Sequence, residues 1–436
     1  MRLPFTVTIE KIVPGGRGLG FHEGRAVFIP LSAPGDQVLV RRFRDRGHYL
    51  ETESVKILTK SPLRATPPCQ YFGDCGGCNF QHLNYEQQLL AKQEILLDVL
   101  QRIGKLQVST SQLSLIASPS VGYRNRLQLK MSNDTGFSWG FFAVGSHRVC
   151  PVNDCLIASA ELWRFLAFLK PLLEVSPNLR GHLEEMEVFR GDENHYLVDF
   201  RLGLTPFALE YLTSELQKLM ADWRGPQLTL FLSSVLLGQR VKAWGTGHVW
   251  KSASGLKYRV SHGSFFQVND FLLGQLLDCV TGGYSGKRVL DLYSGVGFFT
   301  LALAKGFDEV WAVEKNPSAI EDLQENVIHN QTPNIRIFPQ SLDDFLSAHE
   351  SSVKGVDLIV LDPPRSGLAK NSVARLATAG VRDIVYVSCD PSTLARDIRI
   401  CVNHGYEVSH LTILDLFPQT HHLETVAKLR KKVDRS

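Results

Sequence analysis

Three observations in the sequence predict a multidomain α/β protein. At 436 residues the chain is too long for one ordinary core. Residues 5–60 alternate short apolar segments with glycine turns, which indicates a small β-barrel. From about residue 266, strands alternate with helices, as in a doubly wound α/β domain. We therefore expect a barrel at 1–61, a central α+β domain at 62–260 and a Rossmann-like domain at 261–436.

Composition is that of an ordinary globular protein and leaves the partners open. Hydrophobic residues make up 44% and charged residues 21% of the chain, so each domain can bury a core. The net charge of +3 permits a polyanionic partner without requiring one. No stretch suits a signal peptide or a membrane helix, so we expect a cytoplasmic protein with no membrane partner. In that reducing compartment, eight cysteines indicate metal binding or catalysis more than disulfides.

The barrel region ends in a basic run with interleaved aromatic residues, Arg41–Tyr49. Such a run is either the solvated edge of a barrel or a surface for single-stranded nucleic acid. The second interpretation has a chemical basis, because arginine side chains bind phosphates while aromatic rings stack on bases. The sequence alone leaves both readings open.

The central region begins with an irregular segment rich in Pro, Gly and Cys at 61–80. Apolar residues at helical spacing then predict a scaffold helix from Tyr85 to about Ile103. The remainder is strand-rich, with strands at 125–131 and 136–142 and helical stretches near 157–174 and 207–222.

The C-terminal region contains five apolar segments that predict buried strands, at 288–293, 309–314, 358–361, 383–388 and 410–414. A helix is expected over about 298–305, after the first of them. In a doubly wound domain, ligands bind at the carboxyl ends of the strands. The residues that follow each segment are therefore the candidate site residues.

The first of these strands ends in a glycine turn that suits a nucleotide cofactor. Gly295 and Gly297 let the backbone approach a ligand closely and open the next helix. A dinucleotide fingerprint would have a third glycine where this chain has Thr300. Glu314 closes the second strand, where a carboxylate can accept hydrogen bonds from a ribose. The combination favours S-adenosyl-L-methionine over a dinucleotide, and a turn chosen for packing is the alternative.

The third predicted strand, 358–361, is followed by Asp362-Pro363-Pro364-Arg365. Proline cannot extend a strand or donate a hydrogen bond, so the pair fixes a rigid projecting turn. Methyltransferases that act on planar nucleobases often have an acidic or amide residue and two prolines here. In them the motif holds the flat substrate beside the methyl donor.

Cys389 follows the predicted strand 383–388 and directly precedes a turn and a helix. We expect the helix N-terminus to lower the thiol pKa, and a buried structural cysteine is the alternative. A thiolate that attacks C6 of uracil turns C5 into an enolate-like carbon able to take a methyl group. The C5 proton must then leave to a base. Glu424 is the candidate base, and a solvated strand end is its alternative reading.

Together these motifs resemble the RNA uridine-5-methyltransferase family over nearly the whole chain. The nucleophile motif lies at 388–397, the closing motif at 417–424 and a cofactor segment at 264–269. The resemblance implies Cys389 as the nucleophile and Glu424 as the base that removes the C5 proton. It also implies a contact to the cofactor from Gln267, and contacts to the cofactor or the target base from Tyr293, Glu314 and Asp362.

Four cysteines, Cys69, Cys75, Cys78 and Cys155, resemble the 4Fe-4S site of the same family. Four thiolates with a C-x2-C pair suit either an iron–sulfur cluster or zinc, and the resemblance favours the cluster. Cys150 competes with Cys155 for the fourth position. The role of the cluster, structural or redox, stays open.

The N-terminal section resembles the TRAM domain, an RNA-binding barrel, at 18–20 and 33–38. Family members with both TRAM and cluster mostly act on 23S ribosomal RNA, so the resemblance implies that substrate, with transfer RNA as the alternative. An RNA cytosine-5-methyltransferase, which would tend to have a Pro-Cys pair after the strand 358–361, and a non-catalytic RNA-binding factor are competing functions. A monomer would suffice, and no obligate protein partner is implied.

Overall fold

The computed structural model describes residues 3–133, 136–174, 176–203, 206–221, 223–236 and 238–432. Residue 222, the predicted end of a central helix, lies outside these ranges. Within them, every helix is either too short or too polar to span a lipid bilayer.

Residues 5–59 form one curled six-stranded sheet. Its strands run in the order β1-β5-β6-β4-β3-β2, and β1 also contacts β3, so the sheet curls towards a barrel. Val7, Val27 and Val38 point into a small core of its own, as the alternation of side chains along a strand requires. The predicted small β-barrel is confirmed in this form. The strands are β1 (Phe5–Thr8), β2 (Lys11–Val13), β3 (Arg17–His22), β4 (Arg25–Ile29), β5 (Gln37–Asp45) and β6 (Tyr49–Thr59).

The middle of the chain forms a seven-stranded sheet in the order β10-β9-β8-β11-β12-β13-β14, and a separate hairpin of β15 and β16. Leu162 and Phe165 of α2 and Leu212 of α4 pack into the core of this sheet. The elements are α1 (Tyr85–Val99), β7 (Leu113–Ile116), β8 (Arg126–Ser132), β9 (Ser138–Phe142), β10 (Val149–Pro151), α2 (Ala160–Glu174), α3 (Pro177–His182), β11 (Leu183–Arg190), β12 (His195–Leu202), α4 (Pro206–Ala221), β13 (Gln227–Ser234), β14 (Gln239–Trp244), β15 (His248–Ala253) and β16 (Leu256–Ser261).

The C-terminal region forms an eight-stranded sheet in the order β19-β18-β17-β20-β21-β23-β22-β7. Separate apolar cores cover its two faces, which confirms the predicted Rossmann-like fold. The elements are α5 (Leu273–Thr281), β17 (Gly286–Leu292), α6 (Thr300–Leu303), β18 (Phe307–Glu314), α7 (Pro317–His329), β19 (Ile335–Pro339), α8 (Leu342–Val353), β20 (Leu358–Leu361), α9 (Lys370–Thr378), β21 (Asp383–Ser388), α10 (Pro391–Asn403), β22 (Tyr406–Leu414) and β23 (Glu424–Lys431).

Two predicted elements differ in extent from those observed. The helix expected over 298–305 is only the short α6, because tight turns occupy the residues after Gly295. The strand expected at 410–414 already begins at Tyr406. The scaffold helix from Tyr85 ends as α-helix at Val99 and continues as a π-helical turn to Gly104, close to its predicted end.

The segment that contains α1 and β7 packs with the C-terminal sheet. β7 pairs in parallel with β22 at the sheet edge, and Ile95 and Val99 of α1 share a core with Leu394 and Ile398 of α10. Residues on the N-terminal side of the predicted boundary at 261 therefore help to build the C-terminal core. This arrangement also places α1 beside the loop between β22 and β23.

Candidate active site

The carboxyl ends of four parallel strands meet at one edge of the C-terminal sheet. Leu292 at the end of β17 pairs with Val313 of β18 and with Leu361 of β20, and Leu361 pairs with Tyr386 of β21. The residues at the ends of these strands, or directly after them, therefore lie along one edge. They are Tyr293, Glu314, Asp362 and Cys389.

Cys389 lies opposite Glu424 across the ends of β21 and β23. These strands are antiparallel, and their ladder ends at the pair Ser388–Thr425, so Cys389 and Glu424 are the next residues beyond its last pair. The charge of Glu424 acts on the Cys389 thiol, as expected for neighbours at this end. Glu424 is 4% exposed and Cys389 is partly buried. A thiol and a carboxyl group thus share one small space at the edge where substrates of such a fold bind.

The pKa of the Cys389 thiol is raised to about 11, by burial first and then by the carboxyl of Glu424. Arg365 lowers it by a smaller amount. The expected depression of this pKa by the helix N-terminus is therefore wrong for the protein without RNA. One reason is that the first amides of α10, from Ser392 and Thr393, already donate to the side chain of Asp390.

The carboxyls at this edge also hold their protons more tightly than usual. Burial, followed by the charge of Asp362, raises the pKa of Glu424 well above its ordinary value, while Arg365 acts in the opposite direction. Burial raises the pKa of Asp362 to about 7. Two acids that cannot easily ionise together form a site able to take up a proton near neutral pH.

The glycine turn after β17 is open towards the sheet edge. Gly295 has φ +53° and open space where a Cβ would stand, whereas a Cβ at Gly297 would lie 2.4 Å from Leu323 Cδ1. The Gly295 amide donates to Glu314 Oε2 at 2.9 Å. Ser294 Oγ is buried here with no hydrogen-bond partner among the described residues. A bound nucleoside would find both a close-approach turn and an unsatisfied hydroxyl.

The segment that contains Gln267 begins beside α7. The Ser264 hydroxyl donates to Ser318 Oγ at 3.1 Å, two residues into α7, which follows Glu314. Gln267 itself is 5% exposed, and its carbonyl accepts a hydrogen bond from Asn125 Nδ2 at 3.2 Å. The start of the predicted cofactor segment, Ser264, therefore lies beside α7, whereas the assignment of Gln267 to the cofactor stays a prediction.

A cavity of about 370 Å³ opens beside Cys389 and contains residues that the sequence analysis did not assign. Arg365, His421 and His422 line it, together with Pro14 and Gly15 from the β2–β3 turn of the N-terminal sheet. Burial lowers the pKa of His421 to about 4 and that of His422 to about 3, so both rings are neutral. The sequence signal for the histidines is their place in the closing motif, but nothing local indicates the β2–β3 turn.

The four predicted metal-ligating cysteines line a second cavity, of about 180 Å³. Burial raises the pKa of Cys78 to about 12; a hydrogen bond with Gln81 acts in the opposite direction, and the nearby thiols of Cys155, Cys75 and Cys69 raise the pKa further. The described residues include no group of three or more His, Cys, Asp or Glu side chains placed to hold a single metal ion. The thiols are thus gathered, but spaced around a cavity.

Cys150 lies outside this cavity. It is buried in a small apolar cluster with Ala143 and Val152, and the pKa of its thiol is raised to about 12, by burial first and then by Asp74. The Gln81 side chain also lies beside the candidate ligands, because its Oε1 accepts a hydrogen bond from the backbone amide of Cys69 at 3.1 Å. Geometry favours Cys155 over Cys150 as the fourth member of the group.

Comparison with known proteins gives consistent relatives. Residues 84–432 match the family described as tRNA (uracil-5-)-methyltransferase, and residues 5–63 match the TRAM domain of tRNA (uracil(54)-C(5))-methyltransferase. An uncharacterized RNA methyltransferase of Aquifex aeolicus is 33% identical over 431 residues, covering 98% of this chain and 99% of that protein. The 23S rRNA (uracil(1939)-C(5))-methyltransferase of Pseudomonas entomophila is 32% identical over 434 residues, covering 96% and 92%.

A solved structure resembles the whole chain. The crystal structure of Pyrococcus abyssi tRNA (uracil-54, C5)-methyltransferase in complex with S-adenosyl-L-homocysteine has a TM-score of 0.73 at 29% identity. It covers 97% of this chain and 100% of that chain. The likeness therefore extends over the N-terminal sheet, the middle region and the C-terminal sheet together.

Proposed function

We propose that this chain, which belongs to the tRNA (uracil-5-)-methyltransferase family, is an S-adenosyl-L-methionine-dependent enzyme that methylates C5 of a uridine in RNA. The observation that carries the proposal is that Cys389 and Glu424 lie together where the β21–β23 ladder ends, at the edge of the sheet. A nucleophile and a base side by side are what this reaction needs.

Cys389 begins the reaction as a thiolate, after its S–H proton has passed to water. Its sulfur forms a bond to C6 of the target uracil, and the ring electrons move towards O4. C5 is then nucleophilic and would take the methyl group of the donor as the bond from that methyl to the sulfonium sulfur breaks, with the electron pair staying on sulfur. Glu424 takes the C5 proton as a carboxylate, the C–H electrons form the C5–C6 double bond, and the C6–S bond breaks. The raised pKa of Glu424 makes the carboxylate a stronger proton acceptor than an exposed one.

The cofactor would be held by Gln267, Tyr293, Gly295 and Glu314, and Asp362 would hold the target base or the cofactor beside them. When bound, S-adenosyl-L-methionine supplies an electrophilic methyl group on a sulfonium. The open space at Gly295 and the unpartnered hydroxyl of Ser294 support binding of a nucleoside at this turn. The carboxyl of Glu314 is placed at the turn by its bond from the Gly295 amide.

We infer that the substrate is 23S ribosomal RNA, with transfer RNA as the second candidate. The relative from Pseudomonas entomophila supports ribosomal RNA, and the Pyrococcus abyssi structure supports transfer RNA. The exposed arginines of the β5–β6 hairpin, Arg41, Arg42 and Arg46, suit a phosphate backbone. We expect the protein to act in the cytoplasm as a monomer without an obligate protein partner.

Cys69, Cys75, Cys78 and Cys155 would hold a 4Fe-4S cluster. Zinc in a four-thiolate site brings the sulfurs within about 4 Å of one another, because each Zn–S bond is about 2.3 Å. The absence of a single-ion arrangement among the described residues, and the cavity of about 180 Å³ between the thiols, favour a larger group. Iron and sulfide analysis of anaerobically purified protein tests this, and stoichiometric zinc would refute it.

The function is tested by incubating the protein with labelled donor and separated ribosomal and transfer RNA, then identifying the methylated nucleoside. We expect 5-methyluridine, mainly in 23S ribosomal RNA. Methylcytidine would refute the proposal, and binding of RNA without any product would indicate a non-catalytic factor. Cys389→Ala should abolish methylation with little loss of RNA binding, because the residue touches only the target base.

A further inference from the structure

The loop between β22 and β23 leads directly into Glu424, and two other parts of the chain hold it in place. One is α1, which packs behind the loop. The other is the segment that follows Cys78 in the four-cysteine site. Neither belongs to the C-terminal Rossmann-like region in sequence, so the position of the candidate base depends on distant residues.

Helix α1 anchors the start of the loop through buried polar groups. Lys92 Nζ lies 2.6 Å from Asp415 Oδ1, with both side chains fully buried, and it also donates to the carbonyl of Phe417 at 3.0 Å. Gln88 and Gln419 exchange hydrogen bonds of 2.9 and 3.0 Å. Gln419 adopts φ +67°, an unfavourable conformation for a residue with a side chain, so these bonds offset local strain.

The four-cysteine segment holds the middle of the same loop. The amides of Asn79 and Phe80 both donate to the Gln419 carbonyl, at 3.1 and 3.0 Å. The Asn79 side chain then pairs with His421 on both sides: its Oδ1 accepts from the His421 amide at 2.9 Å, and its Nδ2 donates to His421 Nδ1 at 2.7 Å. Asn79 directly follows Cys78, and His421 is three residues before Glu424.

The β2–β3 turn packs closely against the Asn79–His421 contact. A Cβ at Gly16 would lie 2.8 Å from Asn79 Nδ2, 2.9 Å from His421 Cβ and 3.1 Å from a ring carbon of Phe80. Gly16 has φ +74°, which also favours glycine. Three regions far apart in sequence therefore meet tightly at the Asn79–His421 pair.

From this geometry we propose that Asn79 is a positioning residue that transmits the order of the four-cysteine site to the loop of the catalytic base. The inference rests on the proposed function, because it assigns Glu424 to removal of the C5 proton. When the site is filled, Cys78 is fixed, Asn79 is fixed with it, and the His421–Glu424 segment is held against Cys389. When the site is empty, this restraint is lost.

The proposal distinguishes two steps of one reaction. Formation of the Cys389–C6 bond depends on β21, which Asn79 does not contact through any hydrogen bond among the described residues. Loss of the C5 proton depends on Glu424, whose loop Asn79 holds. Removing the Asn79 side chain should therefore slow proton loss by at least about fivefold, as expected for the loss of two partly buried hydrogen bonds, and leave formation of the adduct nearly unchanged.

The test is a single-turnover reaction of the full-length protein with RNA tritiated at uridine C5. Release of tritium to water reports proton loss, and a denaturing gel reports the covalent adduct. Asn79→Ala should accumulate adduct and release tritium slowly at unchanged metal content. Asn153→Ala is the matched control, because Asn153 is an exposed asparagine two residues before Cys155 whose backbone bonds to Tyr71 and Trp163 persist in alanine. It should behave as wild type.

A double-mutant cycle separates positioning from general damage to the fold. If Asn79 acts through His421, then His421→Ala and Asn79→Ala should slow tritium release less than additively when combined. Full additivity, equal slowing of both steps, or tritium release at the wild-type rate in Asn79→Ala would each overturn the proposal. A wild-type protein that makes neither adduct nor 5-methyluridine would instead refute the proposed function itself.

Hydrogen exchange gives a readout that does not depend on activity. The His421 amide, protected by Asn79 Oδ1, should exchange faster in Asn79→Ala and also in wild-type protein stripped of metal by a chelator. Exchange in β21 should not change in either case. If the stripped protein keeps wild-type protection at 419–424, the four-cysteine site does not control this loop and the proposal is wrong.

Discussion

Two buried acids, Asp36 and Glu424, differ in their hydrogen-bond donors and in the direction in which their pKa values are shifted. Asp36 is fully buried in the turn before β5 and accepts hydrogen bonds from the amides of Ala33 and Ser61, at 2.7 and 2.9 Å. Arg64 adds a bidentate pair at 2.8 and 2.7 Å. Although burial alone would raise it, the pKa of Asp36 ends below its ordinary value.

Glu424 is buried to a similar degree but has no comparable set of donors among the described residues. The pKa of Glu424 is raised well above its ordinary value, first by burial and then by another acid, Asp362, which has the largest effect of its charged neighbours. Asp36 clamps the end of the N-terminal sheet to the linker and never needs to change charge. Glu424 must accept a proton, and donors that stabilised its charge would weaken it as a base.

The largest predicted effect concerns the acid without donors. Glu424→Gln keeps the shape of the side chain but cannot accept the C5 proton, so turnover should fall by about 10²–10⁴-fold, as for loss of a general base. The Cys389–RNA adduct should accumulate, visible as a retarded band on a denaturing gel. Turnover near the wild-type rate, or loss of product without any adduct, would contradict the assignment of Glu424.

The second prediction concerns the acid with donors. Asp36→Ala removes the partner of a nearly buried guanidinium and of two amides, so it should lower the free energy of unfolding by about 3 kcal/mol. Denaturant unfolding measures this change. The folded fraction should methylate RNA at a normal kcat, because Asp36 does not contact the site. If fully folded Asp36→Ala had a reduced kcat, Asp36 would have a role in catalysis, and the proposed difference between the two acids would be wrong.

The sequence predicted where the chemistry lies better than how it is tuned. Strand ends were enough to place Cys389 and Asp362 at one edge, because parallel strands align their carboxyl ends whatever surrounds them. Glu424 begins the antiparallel strand β23, and only the closing motif indicated it. The thiol pKa was predicted with the wrong sign, because burial and the facing acid act through space. The contact of Asn79 with His421 joins residues 342 positions apart, and no local pattern indicates it.

The third prediction uses pH to separate the two acids. Asp36 has a depressed folded pKa, so its contribution to stability is present above its ordinary pKa of 3.8 and is lost as pH falls below it. Glu424 has a raised folded pKa, so its contribution is complete below its ordinary pKa of 4.5 and is lost as pH rises through the folded value. Glu424→Gln cannot ionise, and its Tm relative to wild type should therefore increase by roughly 2–4 °C between pH 5 and pH 8.

The control for this pH experiment is Asp36→Asn, which should show the opposite slope. Its deficit in Tm relative to wild type should be largest near neutral pH and shrink as pH falls towards 4, because protonation removes the advantage of the wild-type carboxylate. Parallel Tm curves for wild type and Glu424→Gln across this range would mean that Glu424 is ionised normally in the folded protein.

The smallest predicted effect extends the comparison to an acid at the surface. Glu51 pairs with Arg17 and Arg46 at 2.9 and 3.0 Å, much as Asp36 pairs with Arg64, but all three side chains of this network are partly exposed. Its pKa is lowered, first by the hydrogen bond from Arg17. Exposed pairs contribute little to stability, so Glu51→Gln should change Tm by less than about 2 °C.

The same change releases two arginines beside the β5–β6 hairpin, so RNA should bind more tightly at low salt and with a steeper salt dependence. Filter binding across a salt series measures the affinity for RNA and its salt dependence. A large loss of Tm would show that ion pairing, and not burial, determines how much Glu51 and Asp36 stabilise the fold.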